Sequence, residues 1–243
     1  MATDETAKLA VLIDADNVTP RVASQVLAEI AKYGIAFCKR AYGDWTGPGL
    51  KSWKEHLLDN SIQPIQQFSY TKGKNSTDSA MIIDAMDLLY SNKFDGFCLV
   101  SSDSDFTRLA SRIRESGLVV YGCGESKTPI SLVRACDKFI YIENITPTTT
   151  TEAPKEAMRA DVDEQVKMIL RQAAEAISDD EGWAGLAHVG NLVTKRHPSF
   201  DHRTYGFAKL GELIDATDMF EIDRRIPGEG KPSVIYLREK KSA

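Results

Sequence analysis

Short apolar runs alternate with amphipathic stretches over residues 9–142. The runs have the length of buried strands, and in the stretches between them apolar residues recur every three or four positions, as at Val22, Val26 and Ile30. Strands that alternate with amphipathic helices are typical of βαβ units around a mostly parallel sheet, so we predict an α/β fold. The predicted strands cover residues 9–14, 35–41, 62–68, 96–101, 118–121 and 139–142, and the predicted helices cover 20–33, 49–60, 77–90, 105–115 and 129–136. Pro64 predicts an edge position for the third strand, because proline cannot donate a ladder hydrogen bond.

A stretch rich in threonine and proline follows this region. Residues 146–154 have almost no large apolar side chain and contain two prolines, which is typical of an extended, solvated linker. The pattern beyond it predicts three helices and a β-hairpin, the order of a small α+β winged-helix domain. The third of these helices is predicted over residues 203–216. We therefore expect a first domain at 1–145, a linker at 146–160 and a second domain at 161–243.

Composition restricts the class of protein. With 243 residues, of which 42% are hydrophobic and 27% charged, the chain has the balance of a globular protein. The formal net charge of −5 excludes a uniformly basic nucleic-acid footprint. The apolar runs are far shorter than the ~20 residues of a membrane span, and the acidic start of the chain lacks the features of a secretory signal, so we expect a cytoplasmic protein without a membrane anchor. The four cysteines are widely spaced and are expected to be reduced core thiols.

Carboxylates follow two of the predicted buried strands and begin one predicted helix. Asp14 ends the first strand, Asp103 and Asp105 follow the fourth, and Asp78 stands at the start of a helix. Any one of them could simply cap a helix or begin a loop. In an open α/β sheet, however, strand ends line one crevice, and several carboxylates gathered there repel one another unless a cation compensates. Mg²⁺ or Mn²⁺ suits such an all-oxygen site.

The ordered set of motifs in residues 9–142 resembles the NYN domain, a branch of the PIN-like metal-dependent ribonucleases. The motifs are Ile13-Asp14-Ala15-Asp16-Asn17, Lys72-Gly73-Lys74-Asn75-Ser76-Thr77-Asp78 with Asp84, Ser102-Asp103-Ser104-Asp105-Phe106, and the segments 121–129 and 135–139. The resemblance implies an endoribonuclease in which Asp14, Asp78, Asp103 and Asp105 hold Mg²⁺ or Mn²⁺ and Asn17 orients the site. It also suggests supporting roles for Asp16, Asp84 and Ser102, and RNA contacts from Lys72 and Lys74. Where many relatives have proline after the third motif, this chain has Arg108, which could hold an RNA phosphate or form part of a solvated helix face.

The second domain resembles a LOTUS domain, also called OST-HTH, through Leu186, Val189-Gly190, Phe200-Asp201, Tyr205-Gly206, Leu210, Leu213-Ile214 and Phe220-Glu221-Ile222. The resemblance implies binding of RNA or docking of a protein partner. The candidate RNA contacts are Lys195, Arg196, His197, Arg203, Lys209, Arg224, Arg225 and Lys231. The same basic residues could instead form an ordinary solvated face.

Three functions are compatible with these features. The first is a metal-dependent endoribonuclease with a C-terminal binding module. The second is a phosphatase, because residues 14–18 also fit the Asp-x-Asp-x-Thr/Val signature of haloacid-dehalogenase enzymes, with Asp14 as nucleophile and Asp16 as acid or base. The third is a non-catalytic RNA-binding adaptor in which the acidic crevice has no chemical role.

Overall fold

The computed structural model describes residues 6–68, 76–146, 164–226 and 233–240. The chain divides into two compact units, Met1–Pro147 and Thr148–Ala243. Nearly all of the predicted linker, together with Lys72, Lys74 and Lys231, lies outside the described residues. Among the helices that are described, none is both long enough and apolar enough to cross a membrane.

The first unit is the predicted α/β fold. Its strands are β1 (Lys8–Asp14), β2 (Ile35–Gly43), β3 (Gln63–Gln66), β4 (Gly96–Val100), β5 (Val119–Gly124) and β6 (Lys138–Tyr141). They form one sheet in the order β3-β2-β1-β4-β5-β6, and every pairing is parallel. Its helices are α1 (Ala23–Ile30), α2 (Trp53–Asp59), α3 (Ser76–Tyr90), α4 (Thr107–Glu115) and α5 (Ile130–Ala135). The strand that contains Pro64 lies at the edge, as predicted.

Strands β1 and β4 form the centre of the sheet. Residues of β1 alternate between two cores, because successive side chains of a strand point to opposite faces. Ala10 and Leu12 pack in the core that contains Met81 of α3, whereas Val11 and Ile13 pack in the core that contains residues of α1. The chain runs from β1 outward to β3 and then returns to β4 on the other side of β1. This reversal opens a crevice at the carboxyl ends of β1 and β4, where α/β proteins bind ligands.

The early helices of this unit are shorter than predicted. A 3-10 turn, Pro20–Val22, precedes α1, and Thr19 makes no side-chain capping bond there. The second predicted helix likewise begins as a 3-10 turn, Pro48–Leu50, before α2. In both segments the proline stands at the first position of the 3-10 turn, where its missing N–H would have no partner within a helix.

The second unit is a small α+β domain. It contains α6 (Glu164–Glu175), β7 (Ala184–Gly185), α7 (Leu186–Arg196), α8 (Leu210–Thr217), β8 (Phe220–Arg225) and β9 (Val234–Glu239). The three strands form an antiparallel sheet in the order β7-β9-β8. The short strand β7 was not predicted. The predicted helix at 203–216 is wrong in its first half: a 3-10 turn, His202–Tyr205, ends at Gly206, whose φ of 79° is left-handed and interrupts a helix.

Candidate active site

The predicted convergence of carboxylates occurs in the crevice of the first unit. Asp103 and Asp105 follow β4, and Asp78 lies in the first turn of α3. One carboxylate oxygen from each of these three residues lies within 4.8 Å of the others. Residues that are separated along the chain therefore meet at the carboxyl edge of the sheet, and their spacing is short enough for one cation to bridge them.

Asp14 lies next to these three residues but is held differently. Its side chain is only 1% exposed. Its Oδ2 accepts hydrogen bonds from Asn17 Nδ2 at 2.9 Å and from Ser101 Oγ at 2.8 Å. Its Oδ1 is buried and has no hydrogen-bond partner among the described residues. Burial raises the pKa of Asp14 above its usual value, and the bonds from Asn17 and Ser101 act in the opposite direction.

Asp78 has the most strongly perturbed carboxyl group of the site. Burial, followed by the charges of Asp14, Asp103, Asp105 and Asp16, raises its pKa to about 6. Its position at a helix N-terminus favours a negative charge there, but that effect is smaller than the burial and the repulsion. Asp78 is therefore partly protonated near neutral pH unless a cation is bound.

Asp103 connects the end of β4 to the turn that carries Asp105. Its side chain accepts a hydrogen bond from Asp105 N at 2.9 Å and caps the 3-10 turn Ser104–Phe106. Phe106 is fully buried and anchors this turn in the core. Asp105 itself is exposed. The site thus has a buried side at Asp14 and an open side at Asp105.

Ser101, which carries no signal in the sequence motifs, contacts a carboxylate of the candidate site. It is 1% exposed, and its hydroxyl group donates to Asp14 Oδ2 while it accepts from Asp103 N at 3.1 Å. One hydroxyl group therefore joins the buried carboxylate to the backbone of the acidic turn. The predicted Ser102 has another role: its Oγ accepts from Glu125 N at 2.8 Å and joins β4 to the loop after β5.

Replacement of Ser101 by alanine is expected to weaken divalent-cation binding by about tenfold, as is typical when a residue that orients a metal ligand is lost. The variant removes one of the two donors to Asp14 and so raises the free energy of its ionised form. Isothermal titration with Mn²⁺ would measure the change. Ser102→Ala is the matched control, because its hydroxyl group bonds outside the cluster, and an equal loss of affinity in both variants would contradict the assignment.

Asp16 and Asp84, the other two residues predicted to support the site, differ in the elements that they bond to. Asp16 Oδ2 accepts from Thr77 Oγ1 at 2.8 Å, which joins the loop after β1 to the start of α3. Asp84 does not bond to the cluster. Its carboxylate accepts from Arg40 and Tyr42 of β2 instead.

The predicted RNA contacts fall into two groups. The first group is exposed. In the first unit, the side chain of Arg108 is 83% exposed, and its Nη1 lies 3.7 Å from Oε1 of Glu115. In the second unit, the exposed residues are Lys195, Arg196, Lys209 and Arg224. The second group is bonded within the domain. Arg203 is half-buried and donates to Asp201 through Nε and Nη2. Burial acts to raise the pKa of Asp201, but the bonds from Arg203 lower it below its usual value. Arg225 binds Asp223 and lies over the rings of Trp183 and Tyr236. Arg203 and Arg225 are thus engaged within the domain.

The donor set fits a hard divalent cation. All candidate ligand atoms are carboxylate oxygens, which suit Mg²⁺ and Mn²⁺ and not the softer metals that prefer sulfur or imidazole. The cluster of Asp78, Asp103 and Asp105 supplies three of them. Asp14 Oδ1 supplies a fourth oxygen that is buried and otherwise unsatisfied, a costly state for a carboxylate. A cation bound here would relieve both the repulsion and the missing bond.

The strand order and the carboxylate cluster define a doubly wound α/β protein with an acidic crevice at the carboxyl edge of its sheet. The NYN domain family matches residues 8–143, and the OST-HTH/LOTUS domain family matches residues 160–232. The chain therefore belongs to the NYN family, with a LOTUS domain after the NYN domain, as the sequence motifs predicted.

Two solved structures are similar to parts of this chain, and the first of them supports the fold. A crystal structure of a protein of unknown function from Vibrio parahaemolyticus is 21% identical with a TM-score of 0.50, over 58% of this chain and 96% of that chain. A solution structure of an uncharacterized protein from Nitrosomonas europaea is 35% identical with a TM-score of 0.28, over 40% of this chain and 83% of that chain. A comparison with curated proteins found no significant match.

Proposed function

We propose that the protein is a metal-dependent endoribonuclease that cleaves RNA phosphodiester bonds with Mg²⁺ or Mn²⁺. The observation that supports this proposal most directly is the meeting of Asp78, Asp103 and Asp105 within 4.8 Å beside the unsatisfied Oδ1 of Asp14. NYN domains belong to a nuclease superfamily whose members generally use divalent metals. The open side of the cluster gives an RNA strand access to these carboxylates.

The residues of the chain divide the chemical work. A bound divalent cation would neutralise phosphate charge and activate water. Asp78, Asp103 and Asp105 would hold that cation together with Oδ1 of Asp14, whose orientation is set by Asn17 and Ser101. Because these groups are fixed before substrate binds, little reorganisation is needed during the reaction.

The LOTUS domain supplies the binding module of the proposed enzyme, since domains of this family bind RNA. Its exposed basic residues, Lys195, Arg196, Lys209 and Arg224, are the proposed RNA contacts. Arg203 and Arg225 are assigned to the structure of the domain because each is bonded to a neighbouring aspartate. Docking of a protein partner through the same domain is the alternative role.

The purified full chain is expected to cut end-labelled single-stranded RNA with Mn²⁺ and to leave it intact with EDTA. Gel separation of the products distinguishes internal cleavage from removal of terminal nucleotides. An RNA that is bound in a mobility-shift assay but never cut, with any divalent cation, would contradict the nuclease proposal and favour the adaptor.

A phosphatase role for Asp14 is disfavoured by its surroundings. A nucleophilic carboxylate must reach the substrate, whereas Asp14 is 1% exposed and its Oδ2 already accepts two bonds. Asp16→Ala is therefore expected to retain most of the RNA cleavage measured on the same gel. If Asp16 were a general acid or base in the reaction, Asp16→Ala would reduce the rate of RNA cleavage by about a hundredfold or more.

A further inference from the structure

A polar network joins α3 to the sheet beside the acidic cluster. Asp84 of α3 accepts a hydrogen bond from Arg40 Nη1 on one carboxylate oxygen and from Tyr42 Oη on the other. The side chains of Asp84 and Arg40 are 22% and 25% exposed, and Tyr42 is fully buried. The network is therefore largely shielded from water, and such charge-assisted bonds are strong and directional.

The network connects α3, which carries Asp78, to β2, the strand that pairs with the strand of Asp14. Tyr42 of β2 pairs in register with Asp14 of β1. Asp84 lies six residues after Asp78 on α3, which is about 9 Å along a helix. The bonds of Asp84 therefore set the height and rotation of α3 relative to β2, which is paired with the strand that carries Asp14.

Repulsion within the cluster makes such a constraint necessary. Asp78 lies in the first turn of α3, and its carboxylate lies within 4.8 Å of those of Asp103 and Asp105, so these like charges repel one another. Their mutual force pushes this end of the helix away from the sheet. The apolar contacts under α3, through Met81 and Ala85, resist separation but are not directional and permit sliding. Two hydrogen bonds to one carboxylate resist sliding and rotation.

A contribution to folding stability alone does not explain this network. Arg40 Nε is buried and has no acceptor within the described part of the chain. Partly buried ion pairs can often be replaced by well-packed apolar residues without loss of stability. An incompletely satisfied arginine at this position is better explained by a requirement for geometry than by a contribution to folding.

We propose that Arg40, Tyr42 and Asp84 are positioning residues that hold Asp78 in reach of the cation bound by Asp103 and Asp105. This role rests on the proposed metal-dependent function. It adds two residues of β2 to the functional site and gives Asp84 a role that acts through the helix. None of the three is a catalytic residue, since none contacts the carboxylate cluster directly.

The test is a Mn²⁺ titration of the full-length protein by calorimetry, at a temperature where circular dichroism shows each variant folded. Asp84→Asn is expected to weaken Mn²⁺ binding by about tenfold. An amide lacks the negative charge that strengthens the bond from Arg40, and Tyr42 Oη keeps a bond to the NH₂ group only by changing from donor to acceptor. Tyr42→Phe keeps the ring and removes one bond, and a loss of about threefold is expected. Tyr42→Phe also allows the test to be made if Asp84→Asn fails to fold.

Asp95→Asn is the matched control. Asp95 accepts from Lys8 N at 2.7 Å, at the opposite end of the sheet, so the variant removes a similar charge far from the cluster. Its Mn²⁺ affinity is expected to equal that of the wild type. Equal affinities for the wild type and for folded Asp84→Asn or Tyr42→Phe would overturn the positioning role alone. A wild-type protein that binds no Mn²⁺ would instead overturn the proposed metal chemistry and this role with it.

Discussion

Replacement of Asp103 by asparagine is expected to reduce metal-dependent RNA cleavage by about a thousandfold, or about 4 kcal/mol of transition-state stabilisation. The change removes one of the three converging carboxylates. It should preserve the fold, because asparagine caps a helical turn about as well as aspartate and can still accept from Asp105 N. The measurement is the initial rate of product formation from end-labelled RNA with saturating Mn²⁺.

Asp87→Asn is the control for this prediction. Asp87 is an exposed carboxylate on the same helix as Asp78, so its loss changes the net charge equally without touching the cluster. Wild-type activity in Asp87→Asn together with near-complete loss in Asp103→Asn would support the proposed site. Substantial cleavage by Asp103→Asn would show that the acidic cluster is not the catalytic centre.

Replacement of Asp78 by asparagine is expected to stabilise the metal-free first unit at pH 7. The pKa of Asp78 is about 6 in the folded protein and 3.8 for an ordinary aspartate, so the folded state binds this proton more tightly than the unfolded state. Stability from this group is therefore present at low pH and is lost as the pH rises through 6. The full shift corresponds to about 3 kcal/mol, and screening by water on the open side reduces the expected gain to about 1–2 kcal/mol.

Urea denaturation in EDTA at pH 5 and pH 7 would test this prediction. Trp45 and Trp53 lie in the first unit and Trp183 in the second, so a Trp183→Phe background makes fluorescence report on the first unit. In that background, the protein that retains Asp78 should be more stable at pH 5 than at pH 7. Asp78→Asn should reduce this difference in stability between the two pH values. Lower stability of Asp78→Asn at pH 7 would mean that its charge is favourably compensated without metal. Saturating Mn²⁺ should reverse the order of the two proteins.

The fold could be predicted because its information is local. Strands β1 and β4 are almost wholly apolar, and the elements between strands carry helical periodicity, so alternation alone indicated a parallel sheet. Boundaries were less predictable because they depend on single residues. Gly206 lies in a left-handed conformation that interrupts the helix predicted at 203–216, although the apolar period continues across it.

The candidate site was predictable where its residues cluster in motifs and not where contacts span long distances. Asp14, Asp103 and Asp105 follow apolar strands and attract notice as acidic blocks. A lone Ser101 has no such signal, and Asp84 meets Arg40 and Tyr42 from 44 and 42 residues away. The pairing of Arg225 with Asp223 could have been anticipated, because residues two apart on a strand share a face.

The crowded carboxylates also bear on how long the protein survives. A ligand that binds only the folded state raises the free energy of unfolding. At ligand concentrations above the dissociation constant, this increase grows with the logarithm of the ratio of the two. If the cluster binds Mg²⁺ or Mn²⁺ as proposed, the metal-free domain opens more often and is cut more readily by proteases. Chains made when the cation is scarce would then be degraded instead of accumulating as inactive enzyme, so the amount of the protein would follow the supply of its metal.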